Sequence, residues 1–125
     1  MNVIPPPLKD GDTIAVVAPA GNIHDQKRYS LGCSILREMG FQIVPQEKKW
    51  PGTGFLSDTD EHRAQEFMSA WCHPEVKAVF ALRGGYGSLR IVDRLDMEVI
   101  RQHPKFLVGF SDITILLNHI VRQTK

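Results

Sequence analysis

Four short apolar runs, each followed by a stretch of helical periodicity, leave this chain few ways to fold. Thr13 to Ala18 (TIAVVA), Phe41 to Val44, Val76 to Leu82 and Phe106 to Phe110 read as strands. The first, third and last are apolar enough to be buried in a parallel sheet, the last on both faces. Between them, Asp25 to Met39 places Tyr29, Cys33, Leu36 and Met39 at spacings of four and three, with Gly40 set to end the helix. Asp58 is expected to cap a second helix with Glu61 as its reciprocal partner; Ala64, Phe67, Met68 and Trp71 form the stripe, and Pro74 closes it. Short helices are expected at Ser88 to Arg94 and Asp96 to Arg101, and a longer one at Asp112 to Arg122. Alternating strands and helices build right-handed βαβ units, hence an α/β fold: one parallel sheet with helices on both faces.

In such sheets the functional loops gather at the carboxyl ends of the strands. Three loops are therefore expected at one edge: Pro19 to Asp25, Arg83 to Gly87, and Phe110 to Asp112. A fourth, Pro45 to Phe55, is long and polar around PGTG, and its Trp50 is either a cover over the site or a packing residue.

Bulk properties exclude several classes. With 125 residues the chain is one domain's length, and 15 basic against 14 acidic residues give a net charge of +1, which argues against a nucleic-acid or acidic-membrane partner. No run approaches the ~20 apolar residues of a membrane span, and no signal-peptide core opens the chain. Cys33 and Cys72 lack metal-ligand spacing, so free, buried thiols in a reducing cytoplasm are expected.

The segment Lys105 to Thr114 (KFLVGFSDIT) carries the chemistry. Ser111 follows an apolar strand with no linker and precedes a helix, so its hydroxyl is placed at the carboxyl edge beside free helix N–H groups. That is the logic of a nucleophile elbow, although Ile113 stands where the hydrolase pattern G-x-S-x-G has glycine. The competing reading is a serine that caps the helix. Gly84, Gly85 and Gly87 of RGGYG are either a tight turn or a backbone concavity for a negative oxygen. Paired with Ser111 across the edge, the turn makes half of an oxyanion hole, with the backbone N–H of Asp112 as the other half. Arg83 is either an anchor for a substrate carboxylate or a surface residue. The Asp112 side chain either orients the serine loop or favours the helix start by charge.

A serine hydroxyl needs a base. His119 lies eight positions along the same helix, roughly 12 Å away at ~1.5 Å per residue. His103 precedes the fourth strand and so falls at the opposite edge, while His62 and His73 belong to the second helix and its end. Only His24 falls near the right edge, and the chain offers no evident base of its own.

The succession of TIAVVAPAG, RGGYG and VGFSDIT resembles the LD-carboxypeptidases, the muramoyltetrapeptide carboxypeptidases of serine peptidase family S66, whose relatives include the microcin C immunity peptidases. The resemblance runs from about Pro7 to Arg122. It implies a flavodoxin-like N-terminal domain in which Ser111 is the nucleophile and the N–H groups of Asp112 and Gly85 hold the oxyanion. Arg83, Gly84 and Tyr86 would contact a murein tetrapeptide, whose L,D-amide to terminal D-alanine is cleaved with no metal and no organic cofactor. It further implies a cytoplasmic homodimer whose histidine and glutamate come from a C-terminal domain. Residues 1–125 would then be the nucleophile-bearing domain alone, close to inactive, with the C-terminal domain absent from this chain. Two alternatives remain open: a microcin-type peptidase, and a non-catalytic flavodoxin-like module binding a carboxylate or phosphate at the GGYG edge.

Overall fold

The computed structural model describes residues 3–46 and 48–124. Its strands are β1 (Thr13–Val17), β2 (Gln42–Val44), β3 (Val76–Ala81) and β4 (Phe106–Val108), and its α-helices are α1 (Gln26–Glu38), α2 (Asp60–Cys72), α3 (Met97–Gln102) and α4 (Thr114–Thr124). All strand pairs are parallel, in the order β2-β1-β3-β4. This is the doubly wound order of flavodoxin through its first four strands, and it makes the β1/β3 boundary the topological switch point, the place where such sheets bind their ligands.

β1 is buried along its whole length, and its alternate residues feed two cores. Ile14 and Val16 pack with Tyr29, Cys33, Ile43 and Trp50 under α1. Ala15 and Val17 pack with Phe67, Trp71, Ile100, Leu116 and Ile120 under α2, α3 and α4. Right-handed crossovers dictate this division, because the chain moves one way from β1 to β2 and back again to β3. Phe67 and Trp71 stack at 5.7 Å between ring centroids, and the Trp71 indole N–H donates to the His103 carbonyl at 2.7 Å. Asp25 caps α1 as a carboxylate should, accepting from the N–H groups of Lys27 and Arg28.

Several expectations are corrected. β4 is not buried on both faces: among the described residues it pairs with β3 alone, and Val108 and Phe110 are 45% and 70% exposed. The cap of α2 is Thr59, whose hydroxyl accepts from the His62 N–H, while Asp58 stands one residue outside and accepts from the Thr59 N–H. Glu61 therefore has no reciprocal role and accepts from Gln65. Ser88 to Arg94 is two 3₁₀ turns, Ser88–Arg90 and Val92–Arg94, rather than one helix. Met39 falls off the buried stripe of α1, and Cys72, unlike Cys33, is exposed.

Candidate active site

β4 hands the chain to α4 through a strained turn. Phe110 is extended (φ −150°, ψ 179°), Ser111 then turns to φ +58°, and a 3₁₀ turn over Ser111–Ile113 leads into α4. Among the described residues Ser111 is the single non-glycine at positive φ. An L-residue there costs about 1–2 kcal/mol, which must be repaid by the surrounding packing. Ile113 is one anchor of the turn. It is fully buried, and Gly109 leaves room for it, since a β-carbon on Gly109 would come 2.5 Å from Ile113 Cγ2. The isoleucine that breaks the G-x-S-x-G pattern is thus a core anchor for the turn. Ser111 does not act as the helix cap: its hydroxyl accepts from no backbone N–H among the described residues, and the side chain is exposed.

The glycine turn closes on the serine through Gly84. A methyl on Gly84 would lie 2.8 Å from Ser111 Cβ, 2.9 Å from its Oγ and 3.0 Å from the Asp112 nitrogen, so this approach requires glycine. The Gly21 N–H donates to the Gly84 carbonyl at 2.9 Å, and Arg83 Nη1 donates to the Asn22 carbonyl at 2.9 Å. Asp112 Oδ2 accepts from the Ser88 N–H at 2.9 Å, tying the serine turn to the end of the glycine turn through its side chain. The three loops expected at one edge are therefore in direct contact.

Of the remaining candidates, Gly85 adopts φ +101° on the exposed side of the turn. Arg83 is folded back over Gly21, with its guanidinium within 2.8 Å of where a Gly21 β-carbon would stand. Tyr86 is half exposed and meets Phe55 edge-on at 5.5 Å, so the tip of the 45–55 loop reaches the glycine turn. Trp50 does not cover the site. It is buried against Tyr29 and donates to Glu66 Oε2 at 2.7 Å.

No histidine among the described residues is hydrogen-bonded to Ser111. His62 and His73 line a cavity of about 510 Å³ between α2 and the β1–β2 side, which includes no residue of the three loops. His62 faces Asp58 at 3.1 Å, and His73 accepts from the Glu75 N–H. His24 is exposed on the first loop.

One residue at this edge has no counterpart in the sequence reading. Arg63 of α2 is 1% exposed, and its guanidinium donates to the carbonyls of Pro19 (2.6 Å), Gly87 (2.9 Å) and Asp58 (3.1 Å) and to the Asp60 carboxylate. Asp60 is also gripped by Arg90, whose hydrogen bonds hold its carboxyl below the ordinary 3.8. The available signal was position: Arg63 stands four residues before Phe67 and eight before Trp71, on the buried stripe.

Residues 14–125 match the model of the LD-carboxypeptidase N-terminal domain, peptidase family S66. The chain belongs to this family. It is 36% identical over 124 residues to a Bacillus subtilis relative named "Probable murein peptide carboxypeptidase", covering 99% of this chain and 39% of that protein. It is 32% identical over 121 residues to the microcin C7 self-immunity protein of Escherichia coli, covering 94% and 35%. A structure of that immunity protein with aspartyl sulfamoyl adenosine superposes with a TM-score of 0.91, over 98% of this chain and 37% of the other, at 29% identity. The muramoyltetrapeptide carboxypeptidase of Oxalobacter formigenes superposes with a TM-score of 0.76, at 30% identity, over 89% of this chain and 37% of that one. The chain spans less than two-fifths of the length of each of these S66 relatives.

Proposed function

We propose that this chain is the nucleophile-bearing part of a serine LD-carboxypeptidase that acts on cytoplasmic murein tetrapeptide in peptidoglycan recycling. The observation that carries this reading is Ser111 at φ +58° on a strand-to-helix turn, in contact with Gly84. In the proposed mechanism Ser111 Oγ attacks the carbonyl of the amide to terminal D-alanine while a base removes its proton. The N–H groups of Asp112 and Gly85 hold the oxyanion, and the proton passes to the leaving amine of D-alanine. Water then hydrolyses the acyl-enzyme. Arg83 would hold the terminal carboxylate with its remaining donors, and Gly84 and Tyr86 would flank the peptide.

The base and its orienting carboxylate are assigned, with the family resemblance, to a histidine and a glutamate of a C-terminal domain in a homodimeric full-length protein. The 125-residue chain alone then retains only what an oxyanion hole and binding give, ~10³- to 10⁴-fold over the uncatalysed rate. The test is D-alanine release from murein tetrapeptide, together with mass-spectrometric detection of a fluorophosphonate adduct. A slow adduct at Ser111 that disappears in Ser111→Ala, with D-alanine release near background, is expected. Rapid Ser111-dependent turnover would refute the dependence on outside groups and bring in His24. An adduct that survives Ser111→Ala would remove the nucleophile.

The fit to the immunity protein supports a second substrate class, aminoacyl nucleotide analogues. Aspartyl sulfamoyl adenosine that protects the chain from thermal unfolding where murein tetrapeptide does not would favour it.

A further inference from the structure

Burying an arginine is expensive unless every donor finds an acceptor, so where Arg63 spends its hydrogen bonds is informative. It spends them on the loops around Ser111. Nη1 alone bridges the Pro19 carbonyl, at the start of the first loop, and the Gly87 carbonyl, at the end of the glycine turn, at 2.6 and 2.9 Å. Nε reaches the Asp58 carbonyl, and Nη2 reaches Asp60, which in turn receives Nε and Nη2 of Arg90 at 3.0–3.1 Å. Arg90 lies three residues beyond Gly87, so Asp60 grips the same turn from its far end. The next residue after Gly87, Ser88, donates its N–H to the Asp112 carboxylate, and Asp112 adjoins Ser111. Contacts thus run without a break from the Arg63 guanidinium through Gly87 and Ser88 to Asp112 and the serine. Gly87 is shaped for the arginine: a β-carbon there would stand 2.9 Å from Nη1 and 2.6 Å from Leu56 Cδ2.

We propose that Arg63 is a positioning residue for the serine site, fixing the glycine turn against the first loop so that backbone N–H groups stay in register with Ser111. This rests on reading Ser111 as the nucleophile. The planar guanidinium is suited to the task because it aims several donors at fixed angles, whereas a lysine ammonium is a point charge on a flexible stem and does not reproduce the fork. Replacing a purely structural arginine would lower stability everywhere; replacing a positioning arginine loosens the turn first.

Amide hydrogen exchange separates the two. The readouts are the N–H groups of Gly21, Ser88 and Arg90, which donate to Gly84, Asp112 and Gly87, set against those of strands β1 and β3. In Arg63→Lys we expect exchange at these three positions to accelerate at least tenfold more than in the strands. In Asp60→Asn, which keeps the arginine and removes one partner, the same pattern should appear at smaller amplitude. Equal acceleration of turn and strand amides, or an unchanged turn in a folded variant, overturns the proposal. If Arg63→Lys does not fold, Asp60→Asn decides by the same criterion. Fluorophosphonate labelling of Ser111 should also slow at least fivefold in the folded variant. Absence of labelling in the unsubstituted chain would count against Ser111 as nucleophile and leave the exchange result to judge Arg63.

Discussion

Replacing Ser111 with glycine should make the protein more stable, because the serine is held in a backbone conformation that only glycine adopts freely. At φ +58° an L-residue costs about 1–2 kcal/mol that glycine does not incur. Glycine gives some of this back, since its unfolded chain is more disordered by about 0.5–1 kcal/mol relative to alanine. Little else is lost, because the Ser111 hydroxyl has no hydrogen-bond partner among the described residues and the side chain is exposed. The net gain centres on about 0.75 kcal/mol, between limits of about 0 and 1.5 kcal/mol. Unfolding entropy scales with size, so for 125 residues this corresponds to a rise in Tm of about 2–4 °C. Ser111→Ala keeps the β-carbon and the strain, and should melt within about 1 °C of the unsubstituted chain. Ser111→Val adds β-branching, which tolerates positive φ badly, and should melt lower than both. The assay is calorimetry or circular dichroism on the three variants side by side. A glycine variant less stable than the alanine variant by the about 0.5–1 kcal/mol that glycine's disorder costs would mean that the turn stores no strain, and the elbow reading would lose its physical basis.

The neighbouring positions give further expectations. Gly84→Ala forces a methyl into Ser111 and should cost about 1–3 kcal/mol, read from the denaturation midpoint; an unchanged midpoint would show that the turn yields freely. Burial pushes the Tyr29 phenol up from 10.0 to about 12, so its contribution is intact below pH 10 and is lost as pH rises towards 12. Alkaline melts should show this loss in the unsubstituted chain and not in Tyr29→Phe. Asp60, held low chiefly by hydrogen bonds from Arg90, contributes stability above its ordinary 3.8 that is lost as pH falls through its depressed value. Acid melts should therefore separate the unsubstituted chain from Asp60→Asn less and less as the pH drops. A thiol reagent should modify exposed Cys72 in the native protein and reach buried Cys33 only on unfolding; simultaneous modification would contradict the packing under α1.

The fold was legible because β1 and β3 are apolar, short and bounded by turn residues, which leaves a parallel sheet as their one way to be buried. What could not be read was which strand lies at the edge. Phe106 to Phe110 is as apolar as β3, yet among the described residues β4 pairs with β3 alone, and Phe110 is 70% exposed. Lateral position is a tertiary property that local hydrophobicity does not encode. The α2 cap slipped by one residue for a similar reason: Asp58 and Thr59 are both good caps, and it is the Thr59 hydroxyl that accepts from an N–H of the first turn. At the site, motif spacing brought Ser111, Asp112 and the glycines together, since their loops all follow strands. Arg63 escaped because arginine in a helix is ordinarily solvated, and only its register with Phe67 and Trp71 marks it as buried.

The arrangement also explains why the serine turn can be strained at all. Ser111 is the exposed tip of a turn whose other residues are committed elsewhere, Ile113 to the core and Asp112 to Ser88, while Gly84 of the glycine turn packs on the serine itself. Each commitment runs to a different element, so relaxing φ at Ser111 would require several contacts to break at once. Strain persists where the surroundings over-determine it. By the same logic the weak point is the glycine turn, which no strand pairs and which, beside the one backbone bond from Gly21 to Gly84, is held by side chains: Arg83 on Asn22, Arg63 on Gly87, and Asp112 on Ser88. Two of these three holds are arginines donating to carbonyls. High salt screens the charges but leaves such short hydrogen bonds largely in place, more so for buried Arg63 than for exposed Arg83. The first loosening with ionic strength should therefore come at Arg83 and Asn22, seen as faster exchange at the Asn22 N–H, which donates to Phe55, before any change at Ser88. Loosening in the reverse order would show that the exposed contact, not the buried one, governs the turn.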